Sequence, residues 1–216
     1  MNASRDQIEE YLHQLARQQH PEALLDAMEA YASEHDIPLV GRAAGAFLEL
    51  AARSIGARRV LELGAGIGYG TFWLARAVGP DGEVVSVEPD PAKAEAREQF
   101  LDGWARTVNH RGGNVVDAIS REPGTFDVVY CDTRKDLYPD AWIAASPRIR
   151  VGGLWLSDNA LWHGGSVTGE DVNAATEGFA AAVQRHNTLV TSDPSFVSSL
   201  VPIRDGILVA LRVREG

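Results

Sequence analysis

The chain has 216 residues, 45% of them hydrophobic, enough for one sizeable α/β domain and too few for two comfortable ones. A formal net charge of −10 argues against sequence-independent nucleic-acid binding, which rests on neutralised phosphates. No apolar run approaches the roughly 18 residues of a bilayer span, residues 1–10 are too polar for a signal peptide, and the single cysteine, Cys131, excludes an internal disulfide. The expectation is a cytoplasmic protein that handles a small molecule, with no nucleic-acid and no membrane partner.

Two short helices open the chain. Ile8, Tyr11, Leu12 and Leu15 recur at helical spacing, and Pro21 suits the first position of a second helix running to about Ala32. Residues 37–40 form an extended break, and a third helix presents Phe47, Leu48, Ala51 and Ile55. From there strands and helices alternate. Strands are predicted at 59–63, 83–88, 113–116, 126–131 and 153–157, with helices at 69–78, 91–104 and 136–149 between them. A last helix is expected over 171–186, followed by strands near 190–200 and 207–214. Strands separated by helices pair in parallel through right-handed crossovers, and the two final strands can pair antiparallel. The predicted fold is α/β: a doubly wound, Rossmann-like, mostly parallel seven-stranded sheet with an antiparallel C-terminal strand. It forms a single domain, with residues 1–36 as an N-terminal helical extension.

Glu62-Leu-Gly-Ala-Gly-Ile-Gly68 lies where the first predicted strand turns into a helix. Its glycines let the backbone approach a ligand, and the helix beyond offers unpaired N–H groups. Nicotinamide and flavin enzymes use similar turns, so the glycines alone do not choose a cofactor. Glu62 does favour one, because a carboxylate there is awkward for a pyrophosphate but suits the ammonium of a methionine moiety. Glu88, at the end of the second predicted strand, can accept both hydroxyls of a ribose. Asp117 lies where an adenine edge should fall, and it equally suits a plain turn.

Ligands of open α/β sheets bind beyond the carboxyl ends of the strands. Asp132-Thr-Arg-Lys135 and Asp158-Asn159 both follow predicted strands directly. Asp132, Asp158 and Asn159 would form an all-oxygen half-shell suited to Mg²⁺, whereas Asp-Asn alone is also a common turn pair. Lys135 is placed to take a proton from a hydroxyl acidified nearby. Trp162, His163, Trp155 and Arg134 are candidates for the pocket wall, with Trp162 foremost because it follows Asp158-Asn159.

With these residues in view, the chain resembles the metal-dependent O-methyltransferases related to catechol and caffeoyl-coenzyme A O-methyltransferases. The resemblance runs from about Ile37 to the end. It is carried by Ile37-Pro-Leu-Val-Gly-Arg42, Val60-Leu-Glu-Leu-Gly-Ala-Gly-Ile-Gly-Tyr69, Phe126-Asp-Val-Val-Tyr-Cys-Asp-Thr-Arg-Lys135, Gly152-Gly-Leu-Trp-Leu-Ser-Asp-Asn159 with Leu161-Trp162, and Pro202-Ile-Arg-Asp-Gly206. It implies a class I methyltransferase fold and S-adenosylmethionine as cofactor. It places Val40, Glu62, Gly64, Ala65, Gly66, Tyr69, Gly70, Glu88, Pro89, Asp117, Ala118, Asp132 and Arg134 around that cofactor. It further implies a divalent metal on Asp132, Asp158 and Asn159, Lys135 as catalytic base, a small hydroxyl substrate against Trp162 and Arg134, and a homodimer assisted by the first two helices. The family often has Asp-Ala-Asp-Lys where this chain has Asp132-Thr-Arg-Lys135. The stretch matching the diol-holding glutamate of catechol O-methyltransferase, Phe196-Val-Ser-Ser-Leu200, has no carboxylate. The expected activity is methylation of a small, vicinal-dihydroxy aromatic. The alternatives are a metal-independent methyltransferase, a nicotinamide oxidoreductase or a non-catalytic binder.

Overall fold

The computed structural model describes residues 4–20 and 22–215. Helices α1 (Arg5–Gln19), α2 (Ala23–Glu34) and α3 (Gly41–Ser54) lead into an alternating array. The array runs β1 (Arg59–Leu63), α4 (Tyr69–Val78), β2 (Glu83–Val87), α5 (Pro91–Phe100), β3 (Val108–Arg111), α6 (Val115–Arg121), β4 (Phe126–Cys131), α7 (Tyr138–Ala145) and β5 (Ile149–Ser157). It closes with α8 (Gly165–Thr168), α9 (Phe179–Ser192), β6 (Phe196–Val201) and β7 (Ile207–Arg212). Local chemistry sets several boundaries. Ser4 and Gln7 form a reciprocal cap on α1, and Asp90 caps α5 with Pro91 in its first turn. Pro21, the predicted start of the second helix, lies outside the described residues.

The seven strands form one sheet in the order β3-β2-β1-β4-β5-β7-β6. Strands β1 to β5 run parallel, and β7 is antiparallel to both β5 and β6. Chain order reverses between β1 and β4, and such a switch point leaves a crevice above the strand ends. Alternate residues face opposite ways. Val60, Val84, Val128 and Leu156 pack against Leu25, Leu48 and Trp73 from α2, α3 and α4 on one face. Leu61, Val85, Val129 and Trp155 meet Ile119, Trp142 and Val190 from α6, α7 and α9 on the other. Each such fully buried apolar side chain contributes about 1.5–3 kcal/mol of transfer free energy. Among the described residues no helix is long and apolar enough to cross a membrane.

Several sequence expectations need correction. The third strand is Val108–Arg111, not 113–116, because the Asn114 side chain accepts from the N–H groups of Val116 and Asp117 and starts α6 there. The helix expected over 136–149 is shorter: a 3₁₀ turn at Lys135–Leu137 precedes α7, and Ile149 already belongs to β5. The helix expected over 171–186 is Phe179–Ser192. Asp171 takes the N–H groups of Gly178 and Ala180, so it serves the start of the helix from outside, and the fully buried Val190 keeps the helix going. Ile8, Tyr11 and Leu12 lie on a helix, as their spacing predicts, and they are exposed.

Candidate active site

A cavity of about 620 Å³ opens over the carboxyl ends of β1, β4 and β5. At its β1 end the chain must turn sharply under a ligand. Gly64 has φ +91°, and a Cβ there would collide with the carbonyl oxygen of Asp132, so only glycine fits. The N–H groups of Gly64 and Ala65 are spent on the Val87 carbonyl, and Gly66 donates to Glu88 Oε2 at 2.6 Å. Glu88 Oε1 accepts from Asp90 N–H at 2.9 Å, so the carboxylate is held rigid with acceptor capacity left over.

Glu62 is fully enclosed at the end of β1. Thr71 and Ser86 donate their hydroxyls to its Oε2, while a Cβ on Gly70 would come within 2.6 Å of its Oε1. Burial pushes its carboxyl up to about 7, against the opposing pull of Thr71, Arg97 and Ser86. A buried carboxyl with its pKa raised in this way would gain from a cation placed beside it. Sequence reading singled out Glu62 but missed Thr71 and Ser86, which orient it, and Arg97, which holds Ser86. They come from α4, β2 and α5, and no spacing in the chain links them.

The second polar cluster follows from strand register. Leu63 pairs with Cys131, and Cys131 with Ser157, so the next residues, Asp132 and Asp158, end adjacent strands at one level. Asp132 N–H donates to Leu63 O at 2.9 Å and Asp158 N–H to Cys131 O at 3.1 Å. Asn159 follows with φ +52°. Asp158 is buried, and its Oδ1 has no hydrogen-bond partner. Burial, then the neighbouring Asp132, raises its carboxyl well above the ordinary range. An orphaned, buried carboxylate oxygen beside a second carboxylate and an amide fits a hard cation, as the chemistry of the donors demands. Among the described residues no group of three or more His, Cys, Asp and Glu side chains is placed to hold a metal, so the set depends on Asn159.

Lys135 is buried rather than solvated. Its Nζ donates to Asp132 Oδ1 and Thr133 O, both at 3.1 Å, and to the Tyr138 hydroxyl at 2.7 Å. Arg204, which sequence reading did not single out, brings Nη1 to 3.4 Å from Asp158 Oδ2. It stands in the turn between β6 and β7 with φ +49°, and it also borders a smaller cavity of about 310 Å³ beside α1 and the start of α3. That turn is stitched to the loop after β5. Ala160 and Leu161 donate to the carbonyls of Gly206 and Asp205, and His163 N–H donates to Asp205 Oδ1. The loop takes left-handed backbone at Trp162 and His163, which turns both side chains toward the cavity.

Most of the predicted site converges here. Val40, Ala65, Tyr69, Gly70 and Pro89 line the cofactor end with Glu62, Gly64, Gly66 and Glu88. Asp132, Arg134, Lys135, Asp158, Asn159 and Trp162 line the other end, with His163. Arg134 is mostly exposed, pairs with Asp136 at 2.9 Å and lies over the Phe179 ring. Asp117 and Ala118 do not line the cavity: Ala118 lies on α6 with its side chain buried in the core, and exposed Asp117 faces Arg121. Trp155 is fully buried in the core behind the site. Its indole donates to His186, whose other ring nitrogen meets Asn187, and Asn187 donates to the Ala160 carbonyl.

The O-methyltransferase family matches residues 9–213. A catechol O-methyltransferase of Niastella koreensis is 29% identical over 77% of this chain and 79% of its own length. Caffeoyl-CoA O-methyltransferase 5 of Nicotiana tabacum is 25% identical over 78% of this chain and 75% of its own. The structure of the O-methyltransferase TomG from Streptomyces achromogenes, in complex with SAM, superposes with a TM-score of 0.79 at 29% identity, covering 89% of this chain and 91% of that one. With its sheet order, glycine turn and paired strand-end carboxylates, this chain belongs to the O-methyltransferase family.

Proposed function

We propose that the protein transfers a methyl group from S-adenosylmethionine to one hydroxyl of a small vicinal-dihydroxy aromatic, with a divalent metal held by Asp132, Asp158 and Asn159. The observation that carries the metal half is the buried, unpartnered Asp158 Oδ1 beside Asp132. The cofactor half rests on Glu62 and Glu88 at the glycine turn and on the SAM-bound relative. Glu62 receives the ammonium and Glu88 the ribose hydroxyls.

A hard cation on the three oxygen donors, Mg²⁺ by donor type, supplies Lewis acidity that eases deprotonation of the substrate hydroxyl. Lys135 Nζ, in its neutral amine form, receives that proton. The ammonium so formed is met by three acceptors, Asp132 Oδ1, Thr133 O and the Tyr138 hydroxyl, which favour the transfer. S-adenosylmethionine, when bound, would supply the methyl group, the ether C–O bond forming as the C–S bond breaks. The rigid residues at both cavity ends align oxygen, carbon and sulfur, and that positioning supplies much of the rate. Trp162 and Phe179 form an aromatic wall for a flat substrate. The deciding experiment is methyl transfer from labelled S-adenosylmethionine to a panel of catechols, with Mg²⁺ and with excess chelator. Turnover that survives chelation overturns the metal assignment. Exposed Ile8, Tyr11 and Leu12 on α1 support a homodimer, and a light-scattering mass near 23.3 kDa would overturn that.

A further inference from the structure

Among the described residues of the cavity wall, Tyr130 lies between the two ends and carries a hydroxyl with no hydrogen-bond partner and no role in the scheme above. It sits on β4 opposite Glu62 of β1 and two residues before Asp132. Its ring is 1% exposed, and its hydroxyl is fully buried with no hydrogen-bond partner. A buried hydroxyl left unpaired is costly, and native proteins keep few of them without a use.

The surroundings say what would pair with it. A Cβ built on Gly70 would lie 2.6 Å from Glu62 Oε1 and 3.2 Å from Tyr130 Cε1. The two side chains therefore converge on the bare backbone of α4, and glycine keeps that corner open. Both line the same cavity. Asp132, Asp158 and Glu62 all act electrostatically on the Tyr130 hydroxyl, with Arg204 the opposing cation. Lys135 is already paired with Asp132 and Arg204 with Asp158, so the carboxyl that turns an oxygen to this corner for a cation is Glu62. A neutral phenol offers two acceptor lone pairs to such a cation.

We infer that the Tyr130 hydroxyl is a cofactor contact: with Glu62 Oε1 it receives the α-ammonium of S-adenosylmethionine, fixing the methionine end above Gly70. Glu62 supplies charge and Tyr130 supplies direction, so the amino-acid tail is held at two points. The inference rests on the S-adenosylmethionine reading proposed above.

The test is Tyr130→Phe, which removes one oxygen and keeps the ring. Calorimetric Kd values for wild type and variant would be measured with three probes: S-adenosylmethionine, its decarboxylated form, which keeps the amine, and 5′-methylthioadenosine, which has neither amine nor carboxylate. The expected result is binding weakened about tenfold for the first two and unchanged for the third. The melting temperature of the ligand-free variant should hold or rise, because an orphaned hydroxyl has gone. Equal affinities of wild type and variant for S-adenosylmethionine overturn the inference while leaving the cofactor reading intact. A loss shared by all three probes, or a lower ligand-free melting temperature, overturns it in favour of a structural role. A loss confined to the carboxylate-bearing probe overturns the assignment to the ammonium. Wild-type protein that fails to bind S-adenosylmethionine overturns both readings.

Discussion

The Nζ of Lys135 lies 2.7 Å from the phenolic oxygen of Tyr138, and that phenol in turn donates to the backbone carbonyl of Asp158 at 3.0 Å. One buried hydroxyl thus joins the proposed base to the backbone of a proposed metal ligand. Tyr138→Phe should lower kcat about tenfold while leaving KM and cofactor affinity near their original values, because the hydroxyl touches neither ligand. Loss of the shared hydrogen bonds should cost about 1–3 kcal/mol of stability. Steady-state kinetics beside denaturant unfolding checks both. A KM that rises with kcat unchanged would refute this role for the tyrosine.

Asp158 carries an internal conflict that a cation would resolve. Asp158→Asn removes the buried charge beside Asp132, so the ligand-free variant should melt at or above the wild-type temperature. Added Mg²⁺ should raise the melting temperature of the wild type and leave the variant unmoved. Thermal melts with and without Mg²⁺ make the comparison, and equal Mg²⁺ responses would remove Asp158 from the ligand set.

Glu62 should impose a pH dependence on cofactor binding. Burial raises its folded-state pKa from 4.5 to about 7, so the folded protein favours the neutral acid. Its contribution to ligand-free stability is full below pH 4.5 and is lost as pH rises through about 7, an effect of about 3 kcal/mol. An ammonium ligand selects the ionised form. Affinity for S-adenosylmethionine should therefore rise by up to about tenfold per pH unit below 7 and level off above it, with proton release on binding. Calorimetry in buffers of different ionisation enthalpy measures that release, and Glu62→Gln should abolish it.

His186 works in the opposite sense. Burial lowers its pKa to about 4, so the folded protein holds the neutral ring. Trp155 can only donate, which makes Nε2 the acceptor and leaves the proton on Nδ1 facing Asn187. The stability this provides is complete above pH 6.5 and is lost as pH falls from there through 4, again about 3 kcal/mol. Unfolding free energies across that window should show the loss in wild type and a flatter profile in His186→Gln.

How far the chain order reveals the molecule depends on whether a feature is local. The β1 turn was legible because Glu62, Gly64 and Gly66 are neighbours, and backbone freedom at φ +91° is a property of glycine itself. The paired acids were legible because Asp132 and Asp158 each end a hydrophobic run, and parallel strands of one sheet finish together. The third strand was misplaced where an Asn114 side-chain cap outweighed a weak strand pattern.

By itself, the sequence determined the alternation of strands and helices, the glycine turn and the identity of the strand-end carboxylates, since each follows from residue type and short-range periodicity. Only the tertiary structure decided that Thr71, Ser86 and Arg97 surround Glu62, that Arg204 reaches Asp158, that Tyr138 braces Lys135 and that the Tyr130 hydroxyl stands unpaired. Those relations join residues on different elements through sheet register and helix packing, and burial is a property of the folded whole rather than of any stretch of chain.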